Sequence, residues 1–269
     1  MRIVFIGAGR LASNVAPSLK QAGHNILQVY SRTLTSAENL AAEVGAEAIT
    51  DLSDVKGGAD VYIFAVTDSS LPALAEGVGA SLRRQNVAAD SYAFLHTAGS
   101  VSMSVFTDCA AHYGVFYPMQ TFSKGRRVSL SEVPFFIEGN DDHTMQMAQS
   151  LAQTVSSKVY ALSSEGRRHL HLAAVFACNF ANHCYQLSAE LLEKHHIPFE
   201  VMLPLIDETA AKVHSLPPVE AQTGPAVRFD RGVMQAQLQL LADSDFHARI
   251  YDLMSQSIHH SYQETLQHD

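Results

Sequence analysis

The sequence predicts an α/β protein in two parts: a doubly wound, mostly parallel sheet over residues 1–162, then an all-helical part over residues 163–269. Three observations carry this expectation. Short apolar runs of strand-forming residues alternate with stretches of helical period up to residue 162. The first of these runs ends in Gly7-Ala8-Gly9-Arg10-Leu11-Ala12. After Ser163 no strand pattern recurs, and apolar residues return at helical spacing.

Taken in order, Ile3-Val4-Phe5-Ile6 is the first strand, and Leu11, Val15 and Leu19 mark the helix behind it. A G-x-G-x-x-A pattern alone says little, and its place between strand and helix gives it meaning. Gly7 permits the sharp bend, Gly9 lets the backbone approach a pyrophosphate with no Cβ in the way, and Ala12 is small enough for close helix–strand packing. This is the phosphate-binding turn of a Rossmann-type domain; the alternative is an ordinary glycine-containing turn. Gly23-His24-Asn25 leads into a second strand, Ile26-Leu27-Gln28-Val29-Tyr30. A helix over 35–44, capped by Thr35 or Ser36, and a short strand ending at Ile49 follow. Residues 60–66 and 92–96 are the fourth and fifth strands, and three more cover 114–117, 135–137 and 158–162, with a helix near 142–154.

In the second part, residues 166–194 read as one long helix. Leu170, Leu172, Val175, Phe176, Phe180, Leu187 and Leu191 cover more of its circumference than a surface helix needs. Helices over 199–213, 231–241 and 243–267 follow, with a loop over 215–230. Such apolar excess predicts a homodimer built through the helical part.

A chain of 269 residues, 47% hydrophobic and 17% charged, has room for two modest folded domains. A net charge of -9 argues against nucleic acid or an anionic membrane as partner, since the basic residues cluster only at 124–127 and at Arg167-Arg168. No apolar run approaches the roughly 18 residues of a membrane span. The first strand begins at the initiator methionine, which leaves no room for a signal peptide, so a cytoplasmic location is expected. Cys109, Cys178 and Cys184 lack metal-ligand spacing and are expected to be reduced, mostly buried thiols. The pairs His195-His196 and His259-His260 point apart on a helix with no carboxylate or thiol at ligand spacing, so no metal is expected.

The place where NAD-binding domains carry an acidic residue, about twenty positions past the glycines, holds Tyr30-Ser31-Arg32. No carboxylate there repels a 2'-phosphate, while Ser31 and Arg32 can both receive one. NADP(H) is therefore the expected cofactor, with Gly7, Ala8, Gly9, Arg10 and Leu11 at its phosphates. The carboxyl ends of the fourth and fifth strands bring Ala65, Val66, Thr67, Asp68, His96 and Thr97 to its ribose and nicotinamide. Asp68 serves there or caps the helix beginning near Leu71. His96 binds the cofactor, acts on substrate, or is only a satisfied strand-end histidine.

With these residues, HTAGSV (96–101), GVFYPMQTFS (114–123) and TGPA (223–226) in view, the chain resembles a bacterial family of Rossmann-like proteins with a helical C-terminal domain of unknown function, numbered 2520. More distantly it resembles pyrroline-5-carboxylate reductase, ketopantoate reductase and the 3-hydroxyacid dehydrogenases. The resemblance implies NADP-linked oxidoreduction and a dimer through the helical domain. The 3-hydroxyacid dehydrogenases carry a lysine followed four residues later by an asparagine on the first helix of the second domain. Residues 167–183 have no lysine there, so that mechanism does not transfer.

From its own chemistry, this helix places His171, Val175, Asn179 and His183 at steps of four, with Asn182 one position away. Such a stripe is either an interhelical hydrogen-bond network or a ligand site. On the ligand reading the catalytic candidates are His171 as proton donor, then His96, Asn179 and Lys212. Gln120, Asn182, His183, Thr223 and Arg228 are the substrate-binding candidates. Glu208 and Lys212 form a surface ion pair or a charged wall, and in the loop 222–230 either Thr223 and Arg228 hold a carboxylate or Asp230 caps the next helix. The functional expectation is hydride transfer between NADP(H) and a small carbonyl or imine compound in a cleft between the two domains. The alternatives are a non-catalytic NADP-binding sensor or dimeric scaffold, and an F420-dependent NADP reductase.

Overall fold

Strand β1 (Arg2–Ile6) sends alternate side chains into two different cores, Ile3 and Phe5 into one, Val4 and Ile6 into the other. A strand does this only when both faces of its sheet are covered. This computed structural model describes residues 1–123 and 125–268, with backbone alone over 265–268. Lys124, part of the basic cluster noted above, lies outside the described residues.

Around β1 the chain lays down β2 (Asn25–Tyr30), β3 (Glu47–Ile49), β4 (Val61–Phe64), β5 (Ala93–His96), β6 (His112–Pro118), β7 (Phe135–Gly139) and β8 (Val159–Ala161). They form one eight-stranded sheet in the order β3-β2-β1-β4-β5-β6-β7-β8. The first six pair in parallel; β7 runs antiparallel to β6, and β8 parallel to β7. Helices α1 (Ala12–Gln21) and α2 (Leu34–Val44) cover one face, α3 (Leu71–Arg84) the other, and α4 (Asp142–Gln153) the first again. The strand order reverses between β1 and β4, which opens a crevice beyond their carboxyl ends. The predicted elements of this part are all present. β4 stops at Phe64 rather than Val66; its last ladder bond to β1 runs from the Ala65 amide to the Ile6 carbonyl at 2.8 Å.

Helix α5 (Ser164–Ala174) starts at Ser163, whose hydroxyl accepts from the Gly166 amide at 3.2 Å. The backbone then passes through a π-helical turn, Val175–Phe180, into α6 (Ala181–Glu193), so the single helix expected over 166–194 is three segments. α7 (Leu203–Lys212), α8 (Pro218–Ala221), α9 (Arg231–Gln239) and α10 (Asp245–His268) complete the chain. No strand follows β8 among the described residues.

By packing, the chain divides into two compact units, Met1–Cys178 and Asn179 onward. The first therefore includes α5, whose Arg167 is wholly buried. In the second, Ala226, Leu241 and Ser255 are the buried residues among those described, while Leu240, Phe246 and Leu253 are 80%, 75% and 69% exposed. Cys109 is buried, but Cys178 and Cys184 are exposed, which corrects the expectation of mostly buried thiols. Among the described residues no helix is long and apolar enough to cross a membrane, and no cluster of potential metal ligands occurs.

Candidate functional site

Gly7 ends β1 with φ +112°, and its amide donates to the Tyr30 carbonyl at 2.8 Å. A side chain there would put its Cβ 2.9 Å from the Ala65 carbonyl carbon, so the turn admits glycine alone. Gly9 is the opposite case: a Cβ on it would meet nothing within 4 Å. The space it leaves lies at the start of α1, where the Ser13 amide closes on the Gly9 carbonyl at 2.9 Å and the helix dipole favours an anion. Buried Asn14 holds the turn in place, donating to the Arg10 carbonyl at 2.9 Å and accepting from the Val128 amide at 3.0 Å.

This turn forms one end of a cleft of about 570 Å³ in the first unit, at the carboxyl edge of the sheet. Gly7, Ala8, Gly9, Arg10, Leu11, Ser31, Arg32, Ala65, Val66, Thr67, Asp68, Thr97, Gln120 and His171 all line it. The sequence-selected residues of the first unit are thus gathered in one place, His96 excepted. Thr33 and Ser36 join Ser31 and Arg32 on the wall, and Asp68 is the one carboxylate lining the cleft among the described residues. An open phosphate cradle followed by hydroxyls and a guanidinium fits NADP(H). Asp68 does not cap a helix; its carboxylate accepts from the Ser100 hydroxyl.

His96 is fully buried, and its Nδ1 accepts from the Ala98 amide at 3.1 Å. Burial and then the charge of Arg167 push its pKa down to about 3, so the ring is neutral at physiological pH. It shapes the loop from inside and does not line the cleft, contrary to its candidacy as donor or cofactor contact.

Arg167 carries the rest of that loop. Its Nε donates to the Ala98 carbonyl at 3.2 Å, Nη2 to the Val101 carbonyl, and Nη1 to Glu138 Oε2 at 2.8 Å. Glu138 in turn accepts from the Ser164 amide at 2.8 Å and hydroxyl at 2.6 Å. A buried guanidinium needs such complete pairing, and the result fixes α5 against the loop after β5. One helical turn beyond Arg167, this places His171 over Gly99, where an added Cβ would lie 2.7 Å from the imidazole Cγ. There His171 Nδ1 is 3.1 Å from the Tyr117 hydroxyl. Burial raises the Tyr117 pKa; the Arg167 charge opposes that shift and Asp68 adds to it, so the phenol is protonated at neutral pH.

Sequence reasoning missed both Tyr117 and Arg167 as site residues. Tyr117 stands at the carboxyl end of β6, the same sheet edge as the cofactor loops, so the edge rule offered a signal. Nothing in the spacing marked Arg167.

Asn179, Asn182 and His183 are exposed at the start of the second unit, Lys212 is half-buried at the end of α7, and Thr223 and Arg228 are exposed in the loop before α9. The π turn breaks the four-residue spacing on which the polar stripe was read, since each π turn takes up an extra residue. Glu208 and Lys212 form no ion pair among the described residues. Asp230 caps α9, accepting from the Val233 amide at 3.2 Å. Beside it Phe229, at φ +52°, stacks on His259 with centroids 4.1 Å apart and carries the Arg231 guanidinium at 4.6 Å.

Residues 2–90 match the family model described as NADP oxidoreductase coenzyme F420-dependent, and residues 133–258 match the domain of unknown function DUF2520. A solved structure of a candidate NADP oxidoreductase from Bacteroides fragilis is 50% identical, covering 96% of this chain and 98% of that one at a TM-score of 0.90. An imine reductase from Myxococcus stipitatus in complex with NADP+ is 16% identical, covering 98% and 95% at a TM-score of 0.70. A pyrroline-5-carboxylate reductase from Coxiella burnetii is 16% identical, covering 97% of both chains at 0.57. These last two are likenesses of fold. Glutamyl-tRNA reductase of Myxococcus xanthus is 38% identical over 80 residues, 29% of this chain, and the match spans 18% of that relative's length.

Proposed function

The chain belongs to the DUF2520-containing NADP oxidoreductase family, and on that footing we propose that it is an NADPH-dependent reductase of small imine or carbonyl compounds. The observation that carries the proposal is the Tyr117–His171 pair, two proton-bearing side chains 3.1 Å apart on the wall of the same cleft that holds the phosphate cradle. Reducing a C=N or C=O bond takes a hydride and a proton. The bound dinucleotide supplies the hydride. Gly7, Gly9, Arg10, Ser31 and Arg32 hold and orient it, and the Tyr117–His171 pair supplies the proton. The imine half of the proposal draws support from the imine reductase and pyrroline-5-carboxylate reductase likenesses. In the second unit, Asn179 and Lys212 are kept as catalytic candidates, and Asn182, His183, Thr223 and Arg228 as substrate-binding candidates.

The proposal includes a homodimer, supported by the apolar surface that a single chain leaves uncovered on α9, α10 and the turn between them. A second reading, transfer between NADP(H) and the deazaflavin F420, draws on the description of the model matched by residues 2–90. The deciding experiment follows NADPH oxidation with panels of cyclic imines, ketones and 2-oxoacids, and with oxidised F420 as acceptor. Turnover of an imine or carbonyl compound supports the proposal. Turnover of F420 alone selects the second reading, and an inert protein that still binds NADPH selects a sensor or scaffold.

A further inference from the structure

The Tyr117 hydroxyl has one protein partner among the described residues, His171 Nδ1 at 3.1 Å. Tyr117 is 8% exposed and lines the same cleft as the turn over residues 7–11. Resting on the reductase reading above, we propose that Tyr117 is the catalytic residue that hands the proton to the substrate, and that His171 stands behind it to replace that proton.

The roles follow from which atoms are free. The imidazole turns Nδ1 toward the phenol, so a proton on that nitrogen is directed at Tyr117 Oη and not at the cleft. In that tautomer Nδ1–H donates to Oη, and the phenolic O–H is left with no protein acceptor among the described residues. A ligand in the cleft then becomes its natural acceptor. The phenol is also the better-anchored partner. Tyr117 is paired through its backbone with Phe136, within the β6–β7 ladder and one pair from its end, whereas the position of His171 depends on Gly99 and on Arg167 one turn earlier. A group within tenths of an ångström of its productive place is what proton transfer to a positioned atom requires.

The step balances as follows. A hydride arriving from NADPH forms a C–H bond at the substrate carbon, and the π pair of C=N or C=O moves to the nitrogen or oxygen. That atom takes the proton as the Tyr117 O–H bond breaks. As the phenolate oxygen takes the proton from His171 Nδ1, the ring's Nε2 takes one from water, so the imidazole passes to its other neutral tautomer and no imidazolate forms; exchange with water restores the Nδ1–H form. NADPH is oxidised and the substrate reduced by two electrons.

The test compares Tyr117→Phe and His171→Ala with wild type, using the most active imine or ketone from the panel, and adds one measurement on the ligand-free protein. Tyr117→Phe is expected to lower kcat at least ~100-fold, with KM and NADPH affinity within about threefold, and added imidazole should not restore it. His171→Ala opens a space beside Gly99 and Tyr117, and added imidazole should recover much of its lost rate, because the donor hydroxyl is still present. In the ligand-free protein, the His171 ring 15N resonances, identified by their loss in His171→Ala, should shift in Tyr117→Phe. A Tyr117→Phe enzyme retaining more than about a third of wild-type kcat overturns the inference and leaves the reductase reading standing. So do unmoved 15N resonances. Should Tyr117→Phe melt too early to assay, failure of imidazole to rescue His171→Ala overturns it. A wild type inert toward the whole panel takes down both.

Discussion

Gly99 and His171 occupy each other's space: a Cβ on Gly99 would lie 2.7 Å from the imidazole Cγ and 3.1 Å from the His171 Cβ. Gly99 itself needs no left-handed backbone, since it is missing from the glycines with positive φ. Its lack of a side chain serves the histidine. Gly99→Ala should therefore push the imidazole off Tyr117 while leaving the cradle at Gly7 and Gly9 untouched. A displacement of about 1 Å near reacting atoms costs on the order of 100-fold in rate. The expected result is a loss of that order in kcat, with NADPH affinity by fluorescence titration unchanged. Unimpaired turnover in Gly99→Ala would show that the imidazole position is unimportant.

At the other end of the cleft, Ser31, Arg32, Thr33 and Ser36 line the wall where a carboxylate would exclude a 2'-phosphate. NADPH should bind more tightly than NADH by at least about tenfold, or ~1.4 kcal/mol. Arg32→Ala should narrow the gap by weakening NADPH and sparing NADH. Equal affinities for the two dinucleotides in the wild type would be incompatible with this assignment.

The parts of this molecule written in local pattern were legible in the sequence. Strand–turn–helix order, the glycine cradle and the Ser31-Arg32 pair depend on neighbours in the chain, and periodicity reports neighbours. Arg167 was illegible, because its meaning lies in carbonyls of Ala98 and Val101 and in Glu138, some 30 to 70 positions away. In the sequence it was only half of a short basic pair with Arg168; the folded sheet brings those acceptors to it. The π turn at Val175–Phe180 was hidden for a related reason. Its apolar residues fit an α-helical pattern well enough, and one extra residue per turn leaves no mark on composition. His96 shows the converse: its position at a strand end was read correctly, but the end of a strand can face inward, and burial decided its chemistry.

His96 also predicts a pH dependence. Its pKa falls from an ordinary 6.5 to about 3 on folding, because burial and the Arg167 charge disfavour the imidazolium. The unfolded chain then binds a proton that the folded chain refuses. Stability from this group is fully present above pH 6.5 and is lost as pH falls from there toward 3, by about 1.4 kcal/mol per pH unit. Urea melts between pH 7 and pH 5 should show a steeper loss in wild type than in His96→Gln, whose side chain does not titrate. Parallel losses in the two proteins would mean that His96 is protonated as easily folded as unfolded.

The last prediction concerns the helical unit, where one chain alone does not build a core. Leu240, Phe246, Leu253 and Leu205 are largely exposed, Leu203 and Val233 nearly half so, and three residues are buried among those described. Exposed apolar side chains are common singly, but so many on so few short helices exceed what a soluble monomer normally leaves in water. At about 25 cal/mol per Å² of apolar surface removed from water, covering them with a second copy is a large stabilisation for a unit this size. A two-fold interface is the commonest solution, since one patch then covers itself. The protein should be a dimer by light scattering at micromolar concentration. Its thermal midpoint should rise with concentration, because folding and association are then linked. Phe246→Asp, which puts a charge into the covered surface, should lower both dimer content and thermal midpoint, yet leave intact the sheet of the first unit and its affinity for NADPH. A monomeric wild type with a concentration-independent midpoint would mean that this surface stays in water, and the dimer would have to be abandoned.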